Sequence, residues 1–451
     1  MSWASRELAG AELGDERRAL RLMRMVEQFV ERAEQSLPHG LGSWAETKAA
    51  YRFFENDQIA WPKILEPHRA CTVRRAAGEP IVLVAQDTTE INLTPHQATR
   101  GLGYLSKPEC RGLLLHTCLA VTPAGVVLGV LDQQMWVRPL EGLGKRHQRR
   151  QRRTDEKESQ RWLDGLAATQ AALAEHPQVV VIADREADIY DLFAAPRADN
   201  IQLLVRISRE QRRVEHEKQH LVQALEAEAV RGTLLVQVPR QAERPPREAR
   251  LSVRWQTLAI RSPGWRPAGP PIQLQFILVE ETTPPSGEKP VRWLLATTLP
   301  VARLSEAVQC VEYYVRRWLI ERFHYTLKSG CRVEDRRFDT LENTCRAVAC
   351  FSIVAWRLLW LLTEARQHPH QPCTVVLSQP EWEALEAIAE KRFRRARSGQ
   401  PPELGEAVQL IGKLGGHLGR KRDGPPGVKT LWRGLTRLSD LATGWSLAQP
   451  P

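Results

Sequence analysis

Hydrophobic residues recur along the chain with two different periods, and this change of period predicts where helices and strands lie. Residues 4–75 are helical in character, because apolar positions in 11–30 recur every three or four residues with arginines between them. A Pro- and Gly-containing break at 38–42 separates this segment from a second helical stretch at 49–54. The first 75 residues therefore predict a small basic helical module.

Two short apolar runs typical of buried strands each lead to an aspartate. The run 81–85 leads to Asp87, and the run 179–183 leads to Asp184. The other elements predicted nearby are a hairpin with strands at 113–121 and 126–131, an amphipathic helix at 155–174, a short helix at 188–193 and a strand at 202–207.

Beyond residue 210 the pattern changes twice more. Residues 210–300 contain period-two stretches, which predict an antiparallel β insertion. Helices are then expected at about 304–327 and 341–364, followed by further helices and basic clusters. These patterns predict three domains: a helical domain at 1–75, an α/β domain at 76–366 and a helical domain at 367–451.

The chain carries an excess of positive charge. Lys plus Arg number 64 against 53 Asp plus Glu, for a net charge of +11. Such an excess favours a polyanionic partner, most commonly nucleic acid, although solubility alone is the plainer explanation. The most basic stretch, 145–153, is expected to form a loop that clamps phosphate or serves as a solvated tether.

Cysteine usage and hydropathy restrict the classes of protein that fit. The eight cysteines are scattered without a CxxC pair, which argues against a zinc finger and favours a reducing cytoplasm. His368, His370 and Cys373 could hold a metal but lack a fourth ligand at the usual spacing. The longest apolar run, 348–362, is too short to span a membrane and predicts a buried core helix.

Asp87 and Asp184 are candidate functional residues because of their positions. Open sheets place functional groups just beyond the carboxyl ends of their strands. An aspartate at a strand end can equally cap the turn that follows it. Either aspartate alone is therefore weak support for a site.

A polar stripe on the helix through 314–328 is more informative. It contains Tyr314, Arg317, Glu321 and Lys328. At about 100° per residue these four side chains lie within about 60° of one another, and apolar residues occupy the opposite side. A solvated face with intrahelical ion pairs is the plainer explanation, but it would expose the ring of Tyr314. A carboxylate among cations and a tyrosine instead suggests a metal ligand beside phosphate-binding donors.

Three carboxylates from two strand ends and one helix suit two Mg²⁺ ions, with Mn²⁺ as a substitute. Hard divalent cations prefer oxygen ligands, and a metal pair stabilises the attacking and leaving oxygens at phosphorus. The order strand, hairpin, helix, strand, helix, strand, insertion, helix fits a ribonuclease H-like core with a β-rich insertion.

With these residues the sequence resembles the DDE cut-and-paste transposases of the insertion-sequence-four family, which includes the transposon-five transposase. The family signature Tyr-x2-Arg-x3-Glu-x6-Lys is present as Tyr314, Arg317, Glu321 and Lys328, and its two aspartates match Asp87 and Asp184. Further similar stretches extend over nearly the whole chain, namely LGDERR at 13–18, AAYRFFEN at 49–56, MWVRP at 135–139, DEKES at 155–159, RWLLATT at 292–298 and LGGHLGRKRDGPPG at 414–427.

The resemblance implies a role for each site residue. The three acidic residues would be catalytic and would ligate the two metal ions. The predicted DNA contacts are Tyr314, Arg317, Lys328 and Arg206 on the backbone near the cut, Trp293 stacking on a base pulled from the duplex, and Trp318 assisting. A core tryptophan in the insertion sheet is the alternative for Trp293.

The resemblance also implies the reaction and its partners. The N-terminal module would bind the inverted-repeat ends of double-stranded DNA, and the C-terminal helices would form a homodimer. Nicking, hairpin formation, hairpin opening and strand transfer into target DNA would follow. Two alternatives remain, an inactive or domesticated DNA-binding relative and a ribonuclease H-like nuclease that does not transpose.

Overall fold

The computed structural model describes residues 2–142, 157–214, 220–238, 246–262, 270–420 and 423–448, so the predicted basic loop 145–153 lies outside the described residues. By internal contacts the chain forms two compact units. The helical unit comprises Met1–Gly78, Thr88–Arg146 and Leu319–Pro451, and the sheet unit comprises Glu79–Asp87 and His147–Trp318. The division into three domains at 75 and 366 stays a prediction.

Helices dominate the two ends of the chain, and strands dominate its middle. The helices are α1 (Trp3–Glu7), α2 (Glu16–Glu31), α3 (Leu37–Gly40), α4 (Trp44–Phe54), α5 (Trp61–Ala76), α6 (Gln160–Ala172), α7 (Tyr190–Ala194), α8 (Leu221–Ala227), α9 (Leu304–Arg316), α10 (Trp318–Tyr325), α11 (Leu341–Gln367), α12 (Gln379–Phe393), α13 (Leu404–Leu414) and α14 (Val428–Ala448). The strands are β1 (Val82–Asn92), β2 (Gly103–Tyr104), β3 (Arg111–Val121), β4 (Val127–Trp136), β5 (Val179–Ala183), β6 (Ile201–Arg206), β7 (Gly232–Val238), β8 (Arg247–Ile260), β9 (Ile272–Glu281) and β10 (Arg292–Thr297).

A mixed sheet organises the sheet unit. The first residues of β1 pair in parallel with β5, and β5 pairs in parallel with β6. β5 and the start of β1 are continuous apolar runs because both faces of such a sheet are covered. β10 joins β6 antiparallel, and β9, β8 and β7 follow, each antiparallel to its neighbour. The predicted antiparallel insertion is confirmed, and α8 within it is an element that the sequence did not predict.

The helical unit contains the N-terminal helices. α2 begins after Asp15, whose side chain accepts a hydrogen bond from the Arg17 N–H, and it buries Leu22, Met25, Val26 and Phe29 as its spacing predicts. The predicted break at 38–42 contains the short helix α3, which a proline near its first position allows. The predicted hairpin is confirmed as the antiparallel pair β3 and β4.

α11 is the central helix of the helical unit and packs against α2, α5 and β4. It is long and apolar enough to cross a membrane, but 94% of its most apolar window is buried inside the protein. It is therefore a core helix, as predicted. α13 and α14 approach closely at glycines: a Cβ on Gly434 would lie 1.9 Å from the carbonyl oxygen of Ile411.

The architecture is mixed α/β, with a mixed central sheet and helices at both ends of the chain. The parallel strands β1, β5 and β6 and the β3–β4 hairpin are the elements expected of a ribonuclease H-like core. The fold class predicted from the sequence is confirmed.

Candidate active site

Two carboxylates lie at matching positions on neighbouring strands of the sheet unit. Gln86 of β1 is paired with Ala183 of β5, so Asp87 and Asp184 are the next residues on two parallel strands about 4.8 Å apart. Both residues are half-buried. Asp184 also caps the turn Arg185–Ala187, where its Oδ1 accepts the Glu186 N–H at 2.9 Å. The pairing brings both aspartates to the same level of the sheet, but the expectation that Asp87 follows the end of its strand is wrong, because β1 continues to Asn92.

A guanidinium group lies beside the first aspartate. Arg317 Nη1 is 3.9 Å from Asp87 Oδ2, and both side chains are less than one-fifth exposed. The Arg317 guanidinium is also 5.8 Å from the ring centroid of Tyr314, which lies 6.4 Å from that of Trp293. The sheet unit thus brings Trp293, Tyr314, Arg317 and Asp87 into one row.

Exposure of Val315 corrects part of the reasoning about the polar stripe. A solvated helix face would expose the ring of Tyr314, but this ring is only 5% exposed, which argues against that explanation; Val315, on the expected apolar side, is instead 45% exposed. The helix is also not continuous, since α9 ends at Arg316 and α10 begins at Trp318. The prediction of one continuous helix at about 304–327 is therefore wrong.

Arg206 and Trp318 are the other predicted DNA contacts of the sheet unit. Arg206, at the end of β6, donates from Nη2 to the carbonyl oxygen of Arg292 at 3.1 Å, directly before Trp293 in the chain. Trp318 is 57% exposed. Their contact with DNA stays a prediction.

Asp188 is a further buried carboxylate, which the sequence reasoning missed. It accepts the backbone N–H groups of Ser208 and Arg209 at 3.0 and 2.9 Å and pairs with the Arg212 side chain. Burial lowers the pKa of Arg212. Asp188 therefore fixes the turn that follows Arg206. The signal in the sequence that could have identified this carboxylate is its position four residues after Asp184.

Glu321 and Lys328 belong to the helical unit. Glu321 is half-buried in the first turn of α10. One turn later His324 is buried, with Nε2 at 3.3 Å from Thr117 Oγ1. Burial, together with the nearby charge of Lys328, lowers the pKa of His324 to about 3, so this imidazole is neutral.

Lys328 lies in a π-helical turn, Thr326–Gly330, so its direction differs from that expected for an α-helix. Its Nζ donates to the carbonyl oxygen of Glu90 at 2.8 Å and lies 3.2 Å from Glu334 Oε1. Sequence reasoning identified Lys328 but neither of these partners.

Metal-binding side chains form only small groups in the described part of the chain. No group of three or more His, Cys, Asp or Glu side chains is close enough there to hold an ion together. His368 and His370 instead pair with Glu364 and Glu403, each at 2.9 Å, so the alternative site with Cys373 has no support. Asp87 and Asp184 are a pair of hard oxygen donors, the kind that divalent cations prefer.

Three family models match the chain. Residues 1–59 match "Transposase DNA-binding", 144–356 match "Transposase DDE domain" and 353–449 match "Transposase Tn5 dimerisation domain". The DDE range includes Asp184 and Glu321, whereas Asp87 precedes it. DDE domains cleave and rejoin phosphodiester bonds and generally use divalent metal ions. The chain is a DNA-binding, dimer-forming DNA transposase that belongs to the Tn5-like DDE transposases.

Proposed function

We propose that the protein binds the inverted-repeat ends of an insertion sequence and moves it by a cut-and-paste reaction that passes through a DNA hairpin. The observation that carries this proposal is the pairing of the strands at Asp87 and Asp184, with Arg317 beside Asp87. Carboxylates next to a guanidinium suit a phosphodiester substrate, because the carboxylates hold metal ions and the guanidinium contacts phosphate oxygens.

The metal ligands in this proposal are Asp87, Asp184 and Glu321. Their oxygens fit Mg²⁺, with two ions per site and Mn²⁺ able to substitute. When bound, such ions stabilise charge on the attacking and leaving oxygens at phosphorus. The aspartates are supported by the strand register, and Glu321 by its position in the family signature.

The remaining site residues orient the DNA. Arg317 and Arg206 would contact backbone phosphates, and Lys328 would do so from the helical unit. Trp293 packs against Tyr314, so its ring is already fixed when a flipped base arrives. Base stacking on an aromatic ring contributes about 1–3 kcal/mol. Trp318, which is largely exposed, would stack next to it or wedge the duplex.

The N-terminal helices supply the surface that recognises the transposon end. The family match assigns DNA binding to residues 1–59. On α4 an exposed stripe runs through Trp44, Lys48 and Arg52, spaced four residues apart. Exposed Arg17 and Arg24 form a similar stripe on α2. Cations and an aromatic on exposed helix faces suit contact with phosphates and base edges of double-stranded DNA.

The C-terminal helices would join two copies in the synaptic complex. The family match assigns dimerisation to 353–449. Leu441 and Leu447 of α14 are 42% and 84% exposed, and a partner helix could cover them. We place this activity in the cytoplasm, on target DNA of the host.

The test is a cleavage assay on a duplex that carries the DNA end flanking the encoding gene. With Mg²⁺ we expect nicking, then a hairpin on denaturing gels, then joining to a target plasmid. Glu321→Ala should abolish cleavage and leave end binding within about twofold, whereas the exposed Glu312→Ala should cleave like wild type. Equal cleavage by wild type and Glu321→Ala would remove Glu321 from the mechanism.

The same assay separates the two alternatives. An inactive or domesticated relative would bind the end without cutting it in any divalent ion. A ribonuclease H-like nuclease would cut but would not join ends to a target. Cleavage followed by joining is the result that supports transposition.

A further inference from the structure

The ammonium group of Lys328 is already held in place without DNA. Its Nζ donates to the Glu90 carbonyl oxygen at 2.8 Å and lies 3.2 Å from Glu334 Oε1. An ammonium has three N–H donors, so these two acceptors leave one donor for a phosphate oxygen. The side chain is 29% exposed, which leaves that donor accessible.

Glu334 joins this lysine to strand β1. The same Oε1 that faces Lys328 accepts the backbone N–H of Asn92 at 2.8 Å. Glu334 therefore touches the last residue of β1 and the lysine, while Glu90 two residues earlier supplies the other acceptor. Lys328 therefore contacts β1 directly at Glu90 and is linked to Asn92 through Glu334. These two residues are three and five positions beyond Asp87 in the chain.

The loop that carries Glu334 is itself fixed. Arg332, at the start of the turn, adopts a left-handed conformation with φ of 50°. Arg336 is buried, lies 3.9 Å over the ring of Phe351 and donates to the Cys331 carbonyl oxygen at 3.0 and 2.8 Å. Glu334 therefore reaches Lys328 from a turn whose carboxyl end is anchored in the core by Arg336.

We propose that Glu334 is a positioning residue, which holds Lys328 in the conformation that contacts a DNA phosphate during cleavage; this rests on the proposed function of Lys328. A lysine side chain has several rotatable bonds, so free rotation would have to be lost during the reaction. Fixing it beforehand removes that entropic cost from the cleavage step. Glu334 touches neither DNA nor metal in this role and acts through Lys328.

The experiment is a double-mutant cycle with Glu334→Ala, Lys328→Ala and the combination, measured as single-turnover nicking of end-bearing DNA. Glu334→Ala should slow nicking on the order of tenfold. End affinity should change less than about twofold, because many phosphate contacts remain. Glu334→Gln keeps an oxygen acceptor for both N–H groups and should retain most of the rate. In the Lys328→Ala background, Glu334→Ala should have no further effect.

Asp335→Ala is the matched control, because Asp335 is the adjacent acidic residue and pairs with Arg332 instead of Lys328. It should nick like wild type. A readout independent of activity is the rate at which acetic anhydride modifies Lys328, followed by mass spectrometry. That rate should rise in Glu334→Ala and stay unchanged in Asp335→Ala, with the exposed Lys48 as internal reference.

Three results would overturn the inference while leaving the proposed function intact: an unchanged nicking rate in Glu334→Ala, an equal loss in the wild-type and Lys328→Ala backgrounds, or an increased rate. If Glu334→Ala does not fold, Glu334→Met, which keeps the length of the side chain but removes its carboxylate, replaces it in the cycle, and non-additivity with Lys328→Ala is again the deciding result. Absence of nicking by wild type would overturn the proposed function and this inference with it.

Discussion

Glu7 is a buried carboxylate whose ionisation couples the stability of the helical unit to pH. It is 6% exposed, lies 2.6 Å from His68 Nδ1 and accepts two hydrogen bonds from Arg75 at 2.8 and 2.9 Å. His68 Nε2 accepts the Val130 N–H at 3.0 Å, so its Nδ1 carries the proton that Glu7 accepts. The cluster thereby links α1, α5 and β4.

Burial alone would raise the pKa of Glu7, but the hydrogen bonds and charges of His68 and Arg75 lower it from 4.5 to about 2. A carboxylate with a lowered pKa in the folded state contributes stability that is complete above pH 4.5 and is lost as the pH falls towards about 2. At about 1.4 kcal/mol per pH unit, the full contribution is about 3 kcal/mol, of which about 2 kcal/mol is lost by pH 3. Burial lowers the pKa of His68, so its protonation in acid acts in the same direction.

The perturbation is Glu7→Gln, with the exposed Glu12→Gln as control. Urea unfolding followed by tryptophan fluorescence at pH 7, 4.5 and 3 gives the free energy of unfolding. Wild type and the control should lose about 2 kcal/mol more than Glu7→Gln between pH 4.5 and pH 3. At pH 7 the variant should be less stable by about 3 kcal/mol, because Arg75 is left without its charge partner. The same pH dependence in Glu7→Gln and wild type would refute the reasoning.

Two further predictions concern the ends of the chain. Trp44→Ala should weaken binding of the end duplex about tenfold in a mobility-shift titration, with an unchanged salt slope because no charge is lost; equal affinity would contradict a role for this ring. Gly434→Ala should lower the free energy of unfolding by about 1–3 kcal/mol, because the new Cβ would meet the Ile411 carbonyl oxygen at 1.9 Å. A Cβ at Gly444 on the same helix would meet no atom within 4 Å, so Gly444→Ala should leave the free energy of unfolding unchanged or raise it. Urea unfolding of both variants measures the difference.

Local patterns in the sequence were sufficient for elements that owe their form to local residues. The run 179–183 is apolar throughout because β5 is covered on both faces, and this placed Asp184 directly after a strand. The apolar run within α11 likewise predicted a buried helix. The strand predicted at 81–85 is shorter than β1, because the residues beyond Asp87 are mostly polar. Only their pairing with other strands reveals that they are extended.

The site depends on contacts that no local pattern records. Tyr314 is buried because it packs near Trp293, so the period of its own helix could not reveal its exposure. Lys328 points away from the expected α-helical direction because of a π-helical turn. Its acceptor, the Glu90 carbonyl oxygen, is 238 residues away in the chain. Such partners become visible only once the chain is folded.

Metal rescue of Asp184→Cys tests the claim that the acidic residues bind catalytic divalent ions most directly. A thiolate is a softer ligand than a carboxylate, and it disfavours Mg²⁺ more than Mn²⁺. Nicking of end-bearing DNA is measured in each ion for wild type, Asp184→Cys and the exposed control Asp199→Cys. We expect Asp184→Cys to be inactive in Mg²⁺ and to regain nicking in Mn²⁺, while wild type and the control are active in both. Wild-type nicking by Asp184→Cys in Mg²⁺ would contradict the account.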